Sequence, residues 1–167
     1  MLDAIPYWLH LLAAAAWIGP QLMMFLVIAP GLGGLDQPAR LRLMRTITLR
    51  FGWLGGGALV VLVVTGLENI DRYAPADMFD LRYGYILAVK LVLVAVVILL
   101  TLAHSLVAGP RLLRLQEAAL NATQERAKDL TKARRLSIVL SALTLLSSLA
   151  VLFCAALLRG PFAFQGA

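Results

Sequence analysis

The segment that decides the fold is residues 84–108, which read GYILAVKLVLVAVVILLTLAHSLVA. It is longer than the roughly 20 apolar residues that a helix needs to cross a bilayer. It nevertheless holds two side chains that hydrocarbon disfavours, Lys90 near one end and His104 near the other. Ionisable groups in a membrane helix usually face the bundle interior or a water-filled cavity, where they mark function. The segment therefore predicts both a membrane-spanning helix and a polar site beside it.

Three further segments have the same apolar character, at about residues 5–29, 51–70 and 136–158. The whole chain is 61% hydrophobic, and its mean hydropathy is +0.86. A soluble domain of this length does not need so much apolar surface. We predict an all-α polytopic membrane protein, a four-transmembrane-helix bundle in which residues 1–167 form a single membrane domain.

The basic residues indicate how the bundle is oriented. The loop at 30–50 carries four Lys and Arg residues and the loop at 109–135 carries seven, whereas the other loop and the tails carry three. The positive-inside rule then places both loops in the cytoplasm and both termini outside. We expect an N-out/C-out protein of a bacterial-type inner (plasma) membrane. The basic loops would rest on anionic lipid headgroups, and no nucleic-acid partner is expected.

A weak internal repeat appears when the chain is shifted by 80 residues. In both halves of the chain, the residues that align are followed by a basic loop and then by another apolar segment. This pattern predicts two helical hairpins related by an axis along the membrane normal. The aligned pairs are His10 with Lys90, Met24 with His104, and Pro30 with Pro110.

Candidate ligands lie at two depths in the predicted bundle. His10, like Lys90, is about two helical turns inside its segment, and Met24 and His104 each follow fourteen residues later. Fourteen residues are nearly four turns, so each pair shares a helix face and is separated by ~21 Å. One metal ion or haem therefore cannot bridge His10 and His104, whereas two stacked sites are possible. Imidazole and thioether groups are ligands for copper and for haem iron.

Other side chains support the predicted site. Trp17 and Gln21 continue the helix face of His10, and Tyr85 borders the same membrane level as Lys90. Glu68 belongs to that level too, and a carboxylate there would offset the charge of Lys90. The pair could form part of a ligand site or be a simple structural ion pair. A stripe of small residues on the fourth segment favours close helix packing; it comprises Ser137, Ser141, Thr144 and Ser148.

Several short motifs resemble one family. The stretch LHLLAAAAWIG at 9–19 resembles the first-helix motif of the CopD-like (copper resistance protein D) membrane proteins. Thr65-Gly66, the stretch YGYILAVK at 83–90, His104 and Gly109-Pro110-Arg111 extend the resemblance over about residues 5–111. The fourth segment is generic. The first-helix histidine and third-helix lysine are also distantly similar to those of the HemJ-type protoporphyrinogen oxidases.

The resemblance implies function as well as fold. CopD-like proteins are linked to copper uptake or tolerance, and the HemJ type is associated with haem b. Carried over by position, His10 and Lys90 become the candidate cofactor-binding residues, with Met24 and His104 beside them. The chain lacks the basic residue that the HemJ type has after the first-helix tryptophan. It also lacks the methionine- or histidine-rich outer segment of a typical copper importer.

Three functions follow from these observations. The first is copper handling through a polar intramembrane site, with His10, His104 and Met24 as metal ligands. The second is a haem b-binding membrane redox protein, either an electron carrier or a HemJ-like oxidase. The third is a cofactor-free accessory subunit that joins a larger membrane complex or a homo-oligomer. No nucleotide loop, catalytic triad or nucleophile elbow is present, and whether the protein is an enzyme is left open.

Overall fold

The computed structural model describes residues 4–119 and 125–165, and in these ranges the protein is a bundle of long helices. Residues 120–124 of the predicted loop 109–135 lie outside the described residues. The helices are α1 (Ile5–Met23), α2 (Ala29–Gly31), α3 (Gln37–Tyr73), α4 (Arg82–Ala103), α5 (Gly109–Ala119) and α6 (Glu125–Leu157). Single π-helical turns, Met24–Ile28 and His104–Ala108, join α1 to α2 and α4 to α5.

Four helical stretches are long and apolar enough to cross a membrane. They comprise Ile5–Gly34, Pro38–Tyr73, Arg82–Gln116 and Asp129–Leu157. The predicted all-α, four-helix membrane architecture is thus confirmed. Many large apolar side chains point away from the bundle and are exposed, as expected where lipid covers the protein; Leu26 and Leu106 are 71% and 72% exposed.

The helices continue past the apolar segments from which they were predicted. The predicted second segment starts at Phe51, whereas α3 starts fourteen residues earlier, at Gln37. Asp36 caps it by accepting a hydrogen bond from the Ala39 backbone N–H at 3.1 Å, and Pro38 occupies the first turn. Because arginine and leucine are good helix formers, nothing in residues 39–50 breaks the helix. The basic stretch therefore extends the spanning helix.

Packing joins the helices in two pairs. α1 packs mainly against α3, and α4 mainly against α6. One buried cluster lies between α1, α3 and α4 and contains Trp17, Ala58 and Val97. A second buried cluster, between α4, α6 and the C-terminal turn Pro161–Phe164, contains Tyr83, Ile86, Leu87, Cys154, Leu158 and Ala163.

The C-terminal turn, Pro161–Phe164, packs against α4 and α6. The backbone N–H of Arg82 donates to the Gln165 carbonyl at 3.1 Å, and the Arg82 guanidinium donates to Gln165 Oε1 at 2.9 Å. Ala163 is fully buried, and the ring of Phe164 lies 6.1 Å from that of Tyr83. The C-terminal turn is therefore held against the start of α4, the helix that carries Lys90.

Candidate functional site

His10 is held against α3 by a hydrogen bond that fixes its tautomer. Its Nδ1 lies 2.8 Å from Thr65 Oγ1, and the Thr65 hydroxyl donates to the Val61 carbonyl at 2.6 Å. A hydroxyl has a single proton. Since that proton is directed to Val61, Nδ1 must carry the proton of its own bond with Thr65. The ring lone pair that can bind a metal is then on Nε2.

The α3 backbone makes room for this imidazole. A Cβ added at Gly66 would lie 3.4 Å from His10 Cε1, so the ring packs directly on the glycine. Metal-binding histidines commonly donate their second ring N–H to a neighbouring oxygen, which fixes the orientation of the ring. Thr65-Gly66 gives His10 this arrangement.

Lys90 of α4 belongs to the same level of the bundle. Val97, two turns further along α4, packs with Trp17, which lies two turns from His10 along α1. In the described part of the chain no carboxylate pairs with Lys90. We call His10, Thr65 and Lys90 the His10 layer.

Two of the predicted supporting residues are directed elsewhere. Glu68 forms an ion pair with Arg72, one turn further along α3, at 2.7 Å. It does not pair with Lys90, because the two positions of α3 are closer in space and both are partly exposed. The Tyr85 side chain is 76% exposed, whereas Tyr83 enters the buried cluster. Neither Glu68 nor Tyr85 contributes a polar group to the bundle interior.

Two helical turns along the bundle from the His10 layer lies a layer without charge, which we call the Trp17 layer. Trp17, Ala58 and Val97 pack together there, each seven residues from the corresponding member of the His10 layer. The indole Nε1–H donates to Ser148 Oγ of α6 at 2.9 Å. The Ser148 hydroxyl in turn donates to the Thr144 carbonyl at 2.8 Å.

A further two turns lead to Met24 and His104, the His104 level. Both residues begin a π-helical turn, and His104 Nδ1 is buried without a hydrogen-bond partner among the described residues. Between this level and Trp17, Gln21 donates to the Trp17 carbonyl at 2.9 Å. Its Oε1 is buried and has no partner within the described ranges. Two polar atoms thus face this half of the interior with their hydrogen-bonding capacity unused.

Sequence reasoning missed the partners of the predicted residues. Thr65 is the only hydroxyl residue of the apolar segment 51–70. A single hydroxyl in an apolar segment could have indicated a partner for His10. Asn69, one turn further on the same face, keeps a buried Oδ1 without a partner in the described chain. Ser148 was assigned to packing alone, because its stripe is equally consistent with close helix contact.

In the described ranges, the predicted ligand residues do not come together in one metal centre. In residues 4–119 and 125–165 there is no group of three or more His, Cys, Asp or Glu side chains that could hold a metal ion. The potential ligands are instead spaced along the interior, with His10 in one half and His104 and Met24 in the other.

Comparison with known proteins gives the family. The sequence model of the CopD, copper resistance protein D, family matches residues 45–158. The chain belongs to the CopD family. No curated protein and no solved structure matches it. Membership implies a role in copper resistance, and it gives no support to haem.

The match to the CopD family overlaps the resemblance seen in the motifs over residues 45–111 and extends further toward the C-terminus. It starts within α3 and includes α6, the helix whose sequence had been taken as generic. It contains Thr65, Lys90, His104 and Ser148, whereas α1 with His10 and Trp17 precedes it. Thus the CopD region includes most of α3 together with α4 and α6, whereas α1 lies before it.

Proposed function

We propose that this CopD protein conducts copper ions through the centre of its bundle, with His10 as the ligand in one half and His104 and Met24 as ligands in the other. The observation that supports it best is the fixed His10 tautomer, since Nε2 keeps its lone pair inside a membrane bundle. A role in copper resistance, implied by the family, needs a protein that binds or moves copper.

The available donors suit Cu(I) in particular. Imidazole nitrogen and thioether sulfur bind this soft ion, whereas carboxylates and waters suit harder ions. His104 offers a buried Nδ1 without a partner in the described residues, and Met24 is partly buried on the stripe that continues from His10 and Trp17. A few neutral donors at each level would hold copper weakly enough to let it leave.

Lys90, which has no carboxylate partner in the part of the chain that the structure describes, also bears on this function. A lysine inside a membrane bundle is costly and is usually kept for a functional reason. A charged Lys90 at the level of His10 would repel copper bound there and limit how long the ion stays. We therefore assign Lys90 to the same site as a residue that tunes binding, without direct contact with copper.

Binding is tested on detergent-purified protein by anaerobic titration of Cu(I) against a coloured Cu(I) chelator. We expect His10→Ala and His104→Ala each to lower the affinity, because each removes an imidazole. Met24→Leu should lower it as well, whereas Met23→Leu should not. Met23 is the matched control, since it adjoins Met24 but is 52% exposed on the lipid side.

Two results would overturn the proposal. One is a copper affinity that neither histidine substitution changes. The other is an absorption spectrum of the same preparation with a Soret band that His10→Ala removes, which would establish a haem protein instead.

A further inference from the structure

The Trp17 layer separates the two levels that carry candidate ligands. Its members Trp17, Ala58 and Val97 are 9%, 7% and 4% exposed, and none offers a ligand atom to the interior. The layer lies about 10 Å from the His10 layer and the same distance from the His104 level, two helical turns each way. An ion that moves between the levels must cross it.

At this depth the Trp17 side chain of α1 contacts the other three long helices, α3, α4 and α6. From α1 the indole reaches Ser148 of α6 through its N–H, and it packs with Ala58 of α3 and Val97 of α4. It lies so close to α3 that a Cβ at Gly55 would be 3.3 Å from Trp17 Cζ3. Gly55 is eleven residues, or three turns, from Gly66, which makes the same room for His10.

We propose that Trp17 is a gate: with its indole on Ser148 the two ligand levels are separated, and copper passes only when the indole leaves that bond. The proposal rests on the copper conduction proposed above. An apolar constriction stops ions because water does not fill it. The closed position is held by a single polar contact, the Trp17–Ser148 hydrogen bond, since the rest of the layer is apolar.

The α1 backbone beside Trp17 has two interruptions at which the helix can bend. Pro20 lies inside α1 and has no N–H, so the Ala16 carbonyl loses its helical partner one residue before the tryptophan. The π-helical turn Met24–Ile28 follows one turn later. Such interruptions are where helices bend. A small bend here would draw the indole away from Ser148 without breaking the contact between His10 and Thr65.

The test compares Cu(I) uptake into proteoliposomes that enclose a coloured Cu(I) chelator. Ser148→Ala removes the acceptor that holds the gate closed, so the initial rate should rise about fivefold, the factor expected for one neutral hydrogen bond. The equilibrium Cu(I) affinity should stay within about twofold, since Ser148 lies two turns from His10. Ser147→Ala, at the adjacent position of α6, is the matched control and should leave the rate unchanged.

A double-variant comparison separates the hydrogen bond from packing. Trp17→Phe keeps a ring in the layer but removes the N–H. If the bond holds the gate, the Trp17→Phe, Ser148→Ala double variant should transport no faster than the faster single variant. Strictly multiplied effects, or no effect of Ser148→Ala while His10→Ala still weakens binding, would overturn the gate and leave copper binding intact.

A measurement without copper keeps the gate testable if copper binding itself fails. In a Cys154→Ala background, His104→Cys is exposed to a small cationic thiol reagent added only on the side where α1 begins. The thiol should react after Trp17→Ala and be protected when Trp17 is present. Trp53→Ala is the control, because Trp53 is 85% exposed. Equal reaction with Trp17 intact would show that the layer is no barrier.

Discussion

At the scale of single residues, the hydrogen-bond or ion-pair partner of a side chain decides what that side chain can do. His10 could be recognised from the sequence, because an imidazole in an apolar segment is conspicuous. In the proposed copper site its use as a ligand depends on Thr65, which bonds to Nδ1 and leaves Nε2 for the metal. Glu68 shows the opposite case. It had been expected to offset Lys90, yet the i,i+4 spacing to Arg72 already offered a nearer partner.

Thr65→Val should weaken Cu(I) binding about tenfold or more while the protein stays folded. The substitution keeps the shape but removes the oxygen that orients His10, and loss of such supporting bonds typically lowers metal affinity 10–100-fold. The chelator titration measures the change. Thr46→Val is the matched control, because the Thr46 hydroxyl also donates to a helix carbonyl, that of Arg42, at an exposed position. An unchanged affinity in Thr65→Val would show that His10 does not depend on Thr65.

Glu68→Gln should leave both Cu(I) affinity and thermal stability almost unchanged. The ion pair with Arg72 is partly exposed, and such pairs contribute about 0–1 kcal/mol. Titration and thermal unfolding in detergent check the two parts of this prediction. A marked loss of copper affinity would mean that Glu68 takes part in the site after all.

At the scale of the helices, the hydropathy of the sequence predicted the number of membrane helices but not their lengths. The apolar segments predicted four membrane-spanning helices, and the described residues form four helical stretches long and apolar enough to cross a membrane. Their ends were misplaced because hydropathy reports the hydrocarbon layer, whereas helical hydrogen bonding continues through α3 into the basic stretch. The π-helical turns at Met24–Ile28 and His104–Ala108 lie 80 residues apart. They support the predicted repeat, which stays a prediction.

Gly84→Ala should destabilise the start of α4 by roughly 1–3 kcal/mol, the usual range for overpacking. The Gly84 N–H donates to the Met78 carbonyl at 3.0 Å, and a Cβ there would be 2.6 Å from that same oxygen. Thermal unfolding in detergent measures the loss. Gly57→Ala is the control, since nothing lies within 4 Å of a Cβ at that position, and alanine favours a helix over glycine. Equal stability of the two variants would contradict the assigned turn.

At the scale of the molecule, the bundle consists of two helix pairs, α1 with α3 and α4 with α6, which meet at Trp17. The broad apolar exterior is expected to be covered by lipid. Orientation across the membrane is a property of the whole molecule. Its prediction rests on the distribution of basic residues alone.

Thiol labelling tests the predicted N-out/C-out orientation. In a Cys154→Ala background, Asp77→Cys lies in the turn between α3 and α4, and Arg45→Cys lies near the start of α3; both native side chains are exposed. An impermeant thiol reagent applied to intact cells should label position 77 only, and permeabilised cells should be labelled at both. The reverse pattern would show that the basic loops face outward.

The sequence by itself determined the class of the protein, the number of its membrane helices and the depth of its ionisable side chains. These properties are local, because transfer of a segment into hydrocarbon depends on its own residues and depth follows from a fixed helical rise. The tertiary structure alone decided which groups meet: Thr65 with His10, and Ser148 with Trp17. Those contacts join residues 55 and 131 positions apart. They depend on how each helix is rotated against its neighbours, and packing between helices sets that rotation.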